Sequence, residues 1–136
     1  MNPNINLNIL FITPYLPSEN SGHAGAQLIY RNVVGLSEYN KITIASFIDV
    51  NEKDSLDNLA SYGIDAYTIS YPRNQKSPSG KINSVFRNIK PVFSYIKGEE
   101  PFFIAKYNKQ EMSDLISKLL NSNSFDRVQV EYNVMH

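Results

Sequence analysis

The chain lacks cysteine altogether and has only two histidines, His23 and His136. Disulfide bonds and cysteine–metal sites are therefore excluded, and two isolated histidines give no spacing typical of a metal site. A chain without cysteine suits a reducing compartment such as the cytosol. At 136 residues, of which 42% are hydrophobic, the chain is still large and apolar enough to bury a core, so we expect one domain over residues 1–136.

Long hydrophobic runs are missing as well. No stretch approaches the roughly 20 apolar residues that span a membrane. The opening residues 1–4 contain no basic side chain of the kind that begins a signal peptide. We therefore expect a soluble, cytoplasmic protein, with attachment to a membrane surface left open.

The chain has no excess of either charge, since 13 basic residues balance 13 acidic ones. No global field attracts nucleic acid, so nucleic acid is not an expected partner. The distribution is uneven, however, because residues 66–98 contain six basic residues and no acidic one. Aromatic residues lie among them, a pattern typical of contact with an anionic membrane surface or a lipid phosphate. The candidate contacts are Arg73, Lys81, Arg87 and Lys90. The alternative interpretation is an aromatic core with a solvated basic face.

Short apolar runs alternate with segments of helical spacing along the chain. The runs predict four strands buried on both faces, as in parallel sheets, at residues 6–13, 41–48, 64–70 and 127–131. Apolar residues three and four positions apart predict helices at residues 25–38, 52–62, 81–96 and 110–120. The alternation indicates an α/β fold, a Rossmann-like parallel sheet of order 3-2-1-4 with helices on both faces.

The predicted topology indicates where a ligand should bind. Ligands of open parallel sheets lie beyond the carboxyl ends of the strands, where the strand order reverses. For this order the position is between the first and fourth strands, where the loop after strand one meets residue Glu131. Gly22, His23, Ala24 and Gly25 precede or open a helix there, and a helix N-terminus favours phosphate or carboxylate. The alternative is that these glycines serve only a sharp strand-to-helix turn.

Individual polar residues near this position each have two interpretations. His23 could donate a hydrogen bond to an anion or transfer a proton. The alternative interpretation is a solvated loop residue. We assign no catalytic residue. Glu131 either binds sugar hydroxyls or pairs at the sheet edge. Asp49 could bind a ribose, but N-capping of the helix that follows is the favoured interpretation.

Two common nucleotide-binding motifs are absent. The dinucleotide fingerprint Gly-x-Gly-x-x-Gly is reduced to Gly22-x-x-Gly25, and no Gly-Lys-Ser/Thr sequence of the Walker type occurs. An NAD-type oxidoreductase and an ordinary ATP site are therefore disfavoured. We expect no cofactor.

Several segments together resemble a known enzyme family. The first strand, the Pro14-Tyr-Leu-Pro17 element and the Gly22–Gly25 turn resemble the opening of GT-B fold glycosyltransferases of the glycosyltransferase 4 type. The segment Pro101–Tyr107, the helix at residues 110–120 and the segment Phe125–Glu131 also look like the N-terminal half of that family. The resemblance covers most of the chain and depends on the order and spacing of loose motifs.

This resemblance implies an activity and a place for each motif. Such enzymes transfer a sugar from a nucleotide-sugar donor to a glycan or lipid-linked acceptor, as in cell-wall or polysaccharide biosynthesis, with retention and no required metal. The Gly22–Gly25 turn would lie near the donor diphosphate and the acceptor, and Gln129 and Glu131 would face the cleft. The family's second Rossmann-like domain is not within the 136 residues. We therefore expect an acceptor-side part of a larger transferase, or a degenerate relative, that is inactive alone.

Two further expectations follow from the element pattern. The alternative function is a non-catalytic, flavodoxin-like or receiver-type binding module, although Thr13–Pro17 offers neither the acidic cluster nor the flavin loop of such modules. The fourth strand should form an open edge of the sheet. Exposed edges tend to pair with another chain, so we expect a dimer or larger homo-oligomer.

Overall fold

Four parallel strands form one sheet in the order β3-β2-β1-β4. The computed structural model describes residues 6–71 and 110–131. In chain order its elements are β1 Asn8–Thr13, α1 Ala24–Ser37, β2 Lys41–Ile48, a 3-10 turn Val50–Glu52, α2 Lys53–Ser61, β3 Asp65–Ser70, α3 Gln110–Ser122 and β4 Arg127–Val130. The predicted α/β class, parallel sheet and strand order are all confirmed. The helix predicted at residues 81–96 lies outside the described residues.

The two central strands are apolar on both faces, which explains their place in the middle of the sheet. In β1, Ile9 and Phe11 pack on one face while Leu10 and Ile12 pack on the other. Six residue pairs join β1 to β2, from Asn8 opposite Lys41 to Thr13 opposite Ser46. Both strands end at the carboxyl edge of the sheet, where β2 continues past Ser46 to Ile48.

Helices cover both faces of the sheet, as predicted. On one face α1 contributes Ile29 and Val33, and α2 contributes Leu59, to a cluster built on β1 and β2. On the other face α3 packs through Met112 and Leu119 against a second cluster. A helix with one apolar stripe is stable only when that stripe is buried, so the three described helices are held by the sheet.

The strand order also separates two fold types. A flavodoxin-like sheet has the order 2-1-3-4-5, in which the third strand lies beside the first. Here β3 pairs with β2, and β4 pairs with β1. The sheet therefore has the order of the Rossmann type and not the flavodoxin-like order.

The connection between α2 and β3 depends on Gly63. Its N–H donates to the carbonyl of Ala60 at 2.9 Å, and the N–H of Ile64 donates to the carbonyl of Leu59 at 3.2 Å. This pair of bonds is the Schellman arrangement, which needs a left-handed residue just after the helix. Gly63 has a φ of 71°, as this arrangement requires. The predicted role of Gly63 as the stop of this helix is confirmed.

We expect Gly63→Ala to lower the free energy of unfolding by about 1 kcal/mol, because a Cβ is disfavoured in the left-handed region. Steric contact is not the cause, since nothing lies within 4 Å of a Cβ added at Gly63. Gly35→Ala is the matched control, as Gly35 lies inside α1 with equally open surroundings. Gly35→Ala should raise the free energy of unfolding by roughly 0.5–1 kcal/mol. Urea unfolding of both variants measures the difference, and effects of equal sign would contradict this explanation.

Candidate functional site

The loop that follows β1 is held in place by its own buried residues. Pro14, Leu16 and Pro17 are fully buried, although they belong to no helix or strand. The hydroxyl of Thr13, which is also buried, donates to the carbonyl of Tyr15. Because the first half of the loop is anchored in this way, residues 18–23 are presented at the carboxyl edge of the sheet.

A polar cleft of about 530 Å³ lies at this edge, beside the ends of β1 and β2. One wall is the loop after β1, and the other is the 3-10 turn with the start of α2. The hydroxyl of Ser55 in α2 donates to the hydroxyl of Ser18 in the loop at 3.0 Å, which joins the two walls. The lining residues are Ser18, Glu19, Asn20, Ser21, Gly22, His23, Asp49, Asn51, Glu52, Asp54, Ser55 and Asn58.

The second wall is fixed by a reciprocal pair of hydrogen bonds. The carboxylate of Asp49 accepts from the N–H of Glu52, and the carboxylate of Glu52 accepts from the N–H of Asp49 at 2.8 Å. The Asp49 carboxylate also accepts from the N–H of Val50 at 2.7 Å. The reciprocal pair is a capping box, which satisfies backbone donors at the start of a helix. The favoured N-cap role of Asp49 is thus confirmed. The helix predicted from Glu52 instead begins as a 3-10 turn at Val50, because Asp49 caps it there.

Among the residues that the structure describes, the lining carries negative charge. Four carboxylates contribute to it, from Glu19, Asp49, Glu52 and Asp54, and no described lysine or arginine does. Hydroxyl and amide side chains make up most of the rest. Such groups accept and donate hydrogen bonds to a polyhydroxylated ligand, whereas an anion inside the cleft would meet repulsion at close range.

His23 lies at the mouth of the cleft and stacks on Tyr15, with ring centroids 4.5 Å apart and planes inclined by 21°. It is the N-cap residue of α1, but its side chain makes no capping hydrogen bond. Its N–H donates to the hydroxyl of Ser21 at 3.1 Å. The side chain of His23 is exposed.

The glycines of the predicted turn take separate positions. Gly22 is exposed in the cleft wall, has no positive φ, and has open space where a Cβ would be. Ala24 and Gly25 are already the first residues of α1. The first turn of α1 contains no acidic side chain. Its backbone N–H groups therefore point toward the loop without a neighbouring carboxylate of their own helix.

Gln129 and Glu131 lie beside the end of β1 but on the side away from β2. The N–H of Glu131 donates to the carbonyl of Ile12 at 2.9 Å, and the side chain of Gln129 donates to the carboxylate of Glu131 at 3.4 Å. Neither residue contributes to the lining of the cleft. The carboxyl ends of β1 and β4 lie at the same edge of the sheet, while the described cleft lies beside the ends of β1 and β2.

A tyrosine pair adjoins the cleft. The buried Tyr30 of α1 meets the exposed Tyr62 edge to face, with centroids 6.4 Å apart. Burial raises the pKa of Tyr30 above its ordinary value, and the hydrogen bond and charge of Tyr62 raise it further. Tyr30 also interacts with Asn58 and Glu19, which line the cleft. A neutral phenol that remains a hydrogen-bond donor thus lies behind the cleft wall.

Sequence reasoning missed half of this site. It identified Gly22, His23 and Asp49, but not the residues from Asn51 to Asn58 that form the second wall. The available signal was the polar run directly after β2, which leaves the sheet at the same edge as the loop after β1. The candidate contacts Arg73, Lys81, Arg87 and Lys90 lie outside the described residues.

The described part of the chain contains neither a candidate metal site nor a helix suited to a membrane. No group of three or more histidine, aspartate or glutamate side chains there could hold a metal ion. No helix in residues 6–71 or 110–131 is both long and apolar enough to cross a membrane.

No protein family, curated protein or solved structure matches the chain.

Proposed function

We propose that the chain is the acceptor-side part of a nucleotide-sugar-dependent glycosyltransferase, and that its cleft binds a hydroxyl-rich sugar. The observation that carries this proposal is the polar cleft between the loop after β1 and the start of α2. Ligand sites of Rossmann-type sheets lie at this edge. The resemblance of the Pro14–Gly25 segment to the opening of glycosyltransferase 4 type enzymes supports the same assignment.

The charge of the cleft selects between the two roles expected for the Gly22–Gly25 turn. Glu19 and Asp54 are exposed carboxylates of the lining, and they would repel a diphosphate. Sugar hydroxyls donate well to carboxylates, and such charge-assisted bonds are the stronger kind. The turn is therefore proposed to contact the acceptor sugar. The donor diphosphate is assigned to the remainder of the enzyme.

The proposal gives the chain a binding role and no catalytic residue. Ser18, Asn51 and Asn58 offer hydroxyl and amide groups in two walls that face each other. Groups held in this way orient a sugar, and orientation contributes to rate by bringing the reacting hydroxyl to the donor carbon. We expect no sugar transfer by the 136 residues alone.

The test is a titration of the ¹⁵N-labelled chain with neutral monosaccharides and oligosaccharides, with UDP and with UDP-sugars, followed by amide chemical shifts. We expect weak binding of neutral sugars, with Kd on the order of 1 mM, as suits a small ligand on one half of a site. The shifts should concentrate at residues 18–23 and 49–58. UDP should cause smaller shifts there than a neutral sugar does.

Asp54→Ala is the variant for this test, because Asp54 lines the cleft and is exposed. Loss of one charge-assisted hydrogen bond should weaken sugar binding by roughly tenfold. Asp57→Ala is the matched control, since Asp57 is an exposed acid of the same helix that does not line the cleft. Equal loss in both variants, or no sugar-dependent shift at residues 18–23, would refute the proposal.

A further inference from the structure

The loop wall of the cleft, residues 18–23, is joined to α1 and to α2 by side-chain hydrogen bonds. At the start of the wall the hydroxyl of Ser18 accepts from the hydroxyl of Ser55 in α2 at 3.0 Å. Farther along, the side-chain amide of Gln27 in α1 donates to the carbonyl of Ser21 at 2.7 Å. The second of these bonds comes from a different helix and holds the half of the loop that enters α1.

Gln27 reaches the loop because of its place in α1. It is the fourth residue of the helix, and side chains of a helix lean toward its N-terminus. A long side chain in the first turn therefore extends back over the residues that precede the helix. The backbone N–H of Gln27 also donates to the carbonyl of His23 at 3.2 Å. Backbone and side chain of this half-buried residue thus bind His23 and Ser21 together.

The start of α1 is fixed in an uncommon way. The chain that enters a helix is usually fixed by an N-cap side chain, which accepts from the first backbone N–H groups. His23 is the N-cap residue of α1, and its side chain makes no such bond. The hydroxyl of Ser21 accepts from the N–H of His23 at 3.1 Å, and Ser21 is the residue that Gln27 binds. Gln27 therefore fixes the entry of the chain into α1 from inside the helix.

We propose that Gln27 is a positioning residue of the cleft, which holds residues 21–23 in the arrangement that receives a sugar. This inference rests on the sugar-binding role proposed above. Gln27 acts through Ser21, which lines the cleft. A wall that is already held in its binding arrangement does not have to be ordered by the ligand, and such preorganisation raises affinity. Without the bond, the sugar binds only to the fraction of molecules whose wall is in place.

Gln27→Met is the variant that tests this inference, because methionine has a similar length and helix propensity but no N–H to donate. Gln27→Lys is the rescue variant, since lysine keeps a donor on a side chain of comparable reach. Asn32→Met is the matched control. It exchanges an amide for methionine at an exposed position of the same helix.

The first measurement is ¹⁵N relaxation of the 136-residue chain without ligand. In the unsubstituted chain the amide order parameters of residues 20–22 should be close to the value of rigid backbone, about 0.85. In Gln27→Met they should fall toward about 0.6, the value of a flexible segment. Gln27→Lys should restore them, and Asn32→Met should leave them unchanged. Order parameters report motion, so exchange of a neighbouring chemical group does not alter them directly.

The second measurement is titration of each variant with the neutral hexoses glucose, galactose and mannose. Gln27→Met should bind about fivefold more weakly than the unsubstituted chain, as expected when its wall is in place about one fifth of the time. Gln27→Lys should bind within about twofold of the unsubstituted chain, since its donor keeps the wall in place. Asn32→Met should bind as the unsubstituted chain does.

The two measurements separate this inference from the proposal on which it rests. Lower order parameters and weaker binding in Gln27→Met, both restored in Gln27→Lys, support the positioning role. Unchanged order parameters in Gln27→Met overturn it, and so do equal losses in the methionine and lysine variants or full-strength sugar binding by Gln27→Met. If the unsubstituted chain binds no sugar, the sugar-binding role fails, and the order parameters still decide whether Gln27 positions the wall.

Discussion

Phe47→Ala should lower the free energy of unfolding by about 3–5 kcal/mol, because it removes a large ring from the middle of the core. Phe47 has no exposed surface and lies in β2, with β1 on one side and β3 on the other. Its ring centroid is 5.5 Å from that of Tyr71. Removal of the ring leaves a cavity between β2 and α3. Helices pack against both faces of the sheet, so the sheet cannot move to close this cavity.

Tyr67→Ala is the matched control for this prediction. Tyr67 is an aromatic residue of the neighbouring strand β3, but 44% of it is exposed. Its removal should cost about 1 kcal/mol or less, since exposed substitutions change stability little. Urea unfolding followed by far-UV circular dichroism measures both variants. Similar losses of unfolding free energy for Phe47→Ala and Tyr67→Ala would show that the cluster under α3 does not stabilise the sheet.

Leu16→Ala should cost about 2–5 kcal/mol and should also disturb the cleft. Leu16 is fully buried in the cluster between the sheet and α1, yet it belongs to the loop that forms the first cleft wall. Its side chain therefore anchors residues 18–23. Unfolding measurements give the loss of stability, and amide shifts of residues 18–23 in the folded variant report the displaced wall.

The control for Leu16 is Leu28→Ala in α1, where the side chain is 60% exposed. This variant should keep both the stability and the shifts of residues 18–23 close to those of the unsubstituted chain. If Leu16→Ala destabilised the protein but left those shifts unchanged, the loop would be positioned by something other than its buried leucine.

The parts of the fold that sequence reasoning predicted well are those whose pattern has a single physical explanation. The β2 strand was predicted at residues 41–48 and has those bounds, because its apolar run is bordered by Lys41 and Asp49. Gly63 was predicted to stop α2 because only a residue without Cβ suits that turn. The parallel sheet followed from the alternation of elements. Its order was taken as the common order of Rossmann-like sheets, which the structure confirms.

The site was harder to predict, because polar residues after a strand look alike whether they cap a helix or bind a ligand. Asp49 does cap, yet it also lines the cleft. Asp54 and Asn58 look like solvated positions of an amphipathic helix, and only the packing of α2 on the sheet brings them opposite Ser18. Gln129 and Glu131 were expected to face a cleft between the first and fourth strands, and they do not line the cleft beside β2.

The hydrogen bond from Ser55 to Ser18 joins the two walls of the cleft across their gap. One wall is held by Asp49 and Glu52, which bind each other's backbone, and the other by the buried start of the loop and by the side chain of Gln27, which donates to the carbonyl of Ser21 at 2.7 Å. Loss of the neutral Ser18–Ser55 bond should cost about 1 kcal/mol, because water replaces it. If the cleft binds sugar as proposed, a sugar chain that must break this bond would bind about fivefold more weakly than one that leaves it intact.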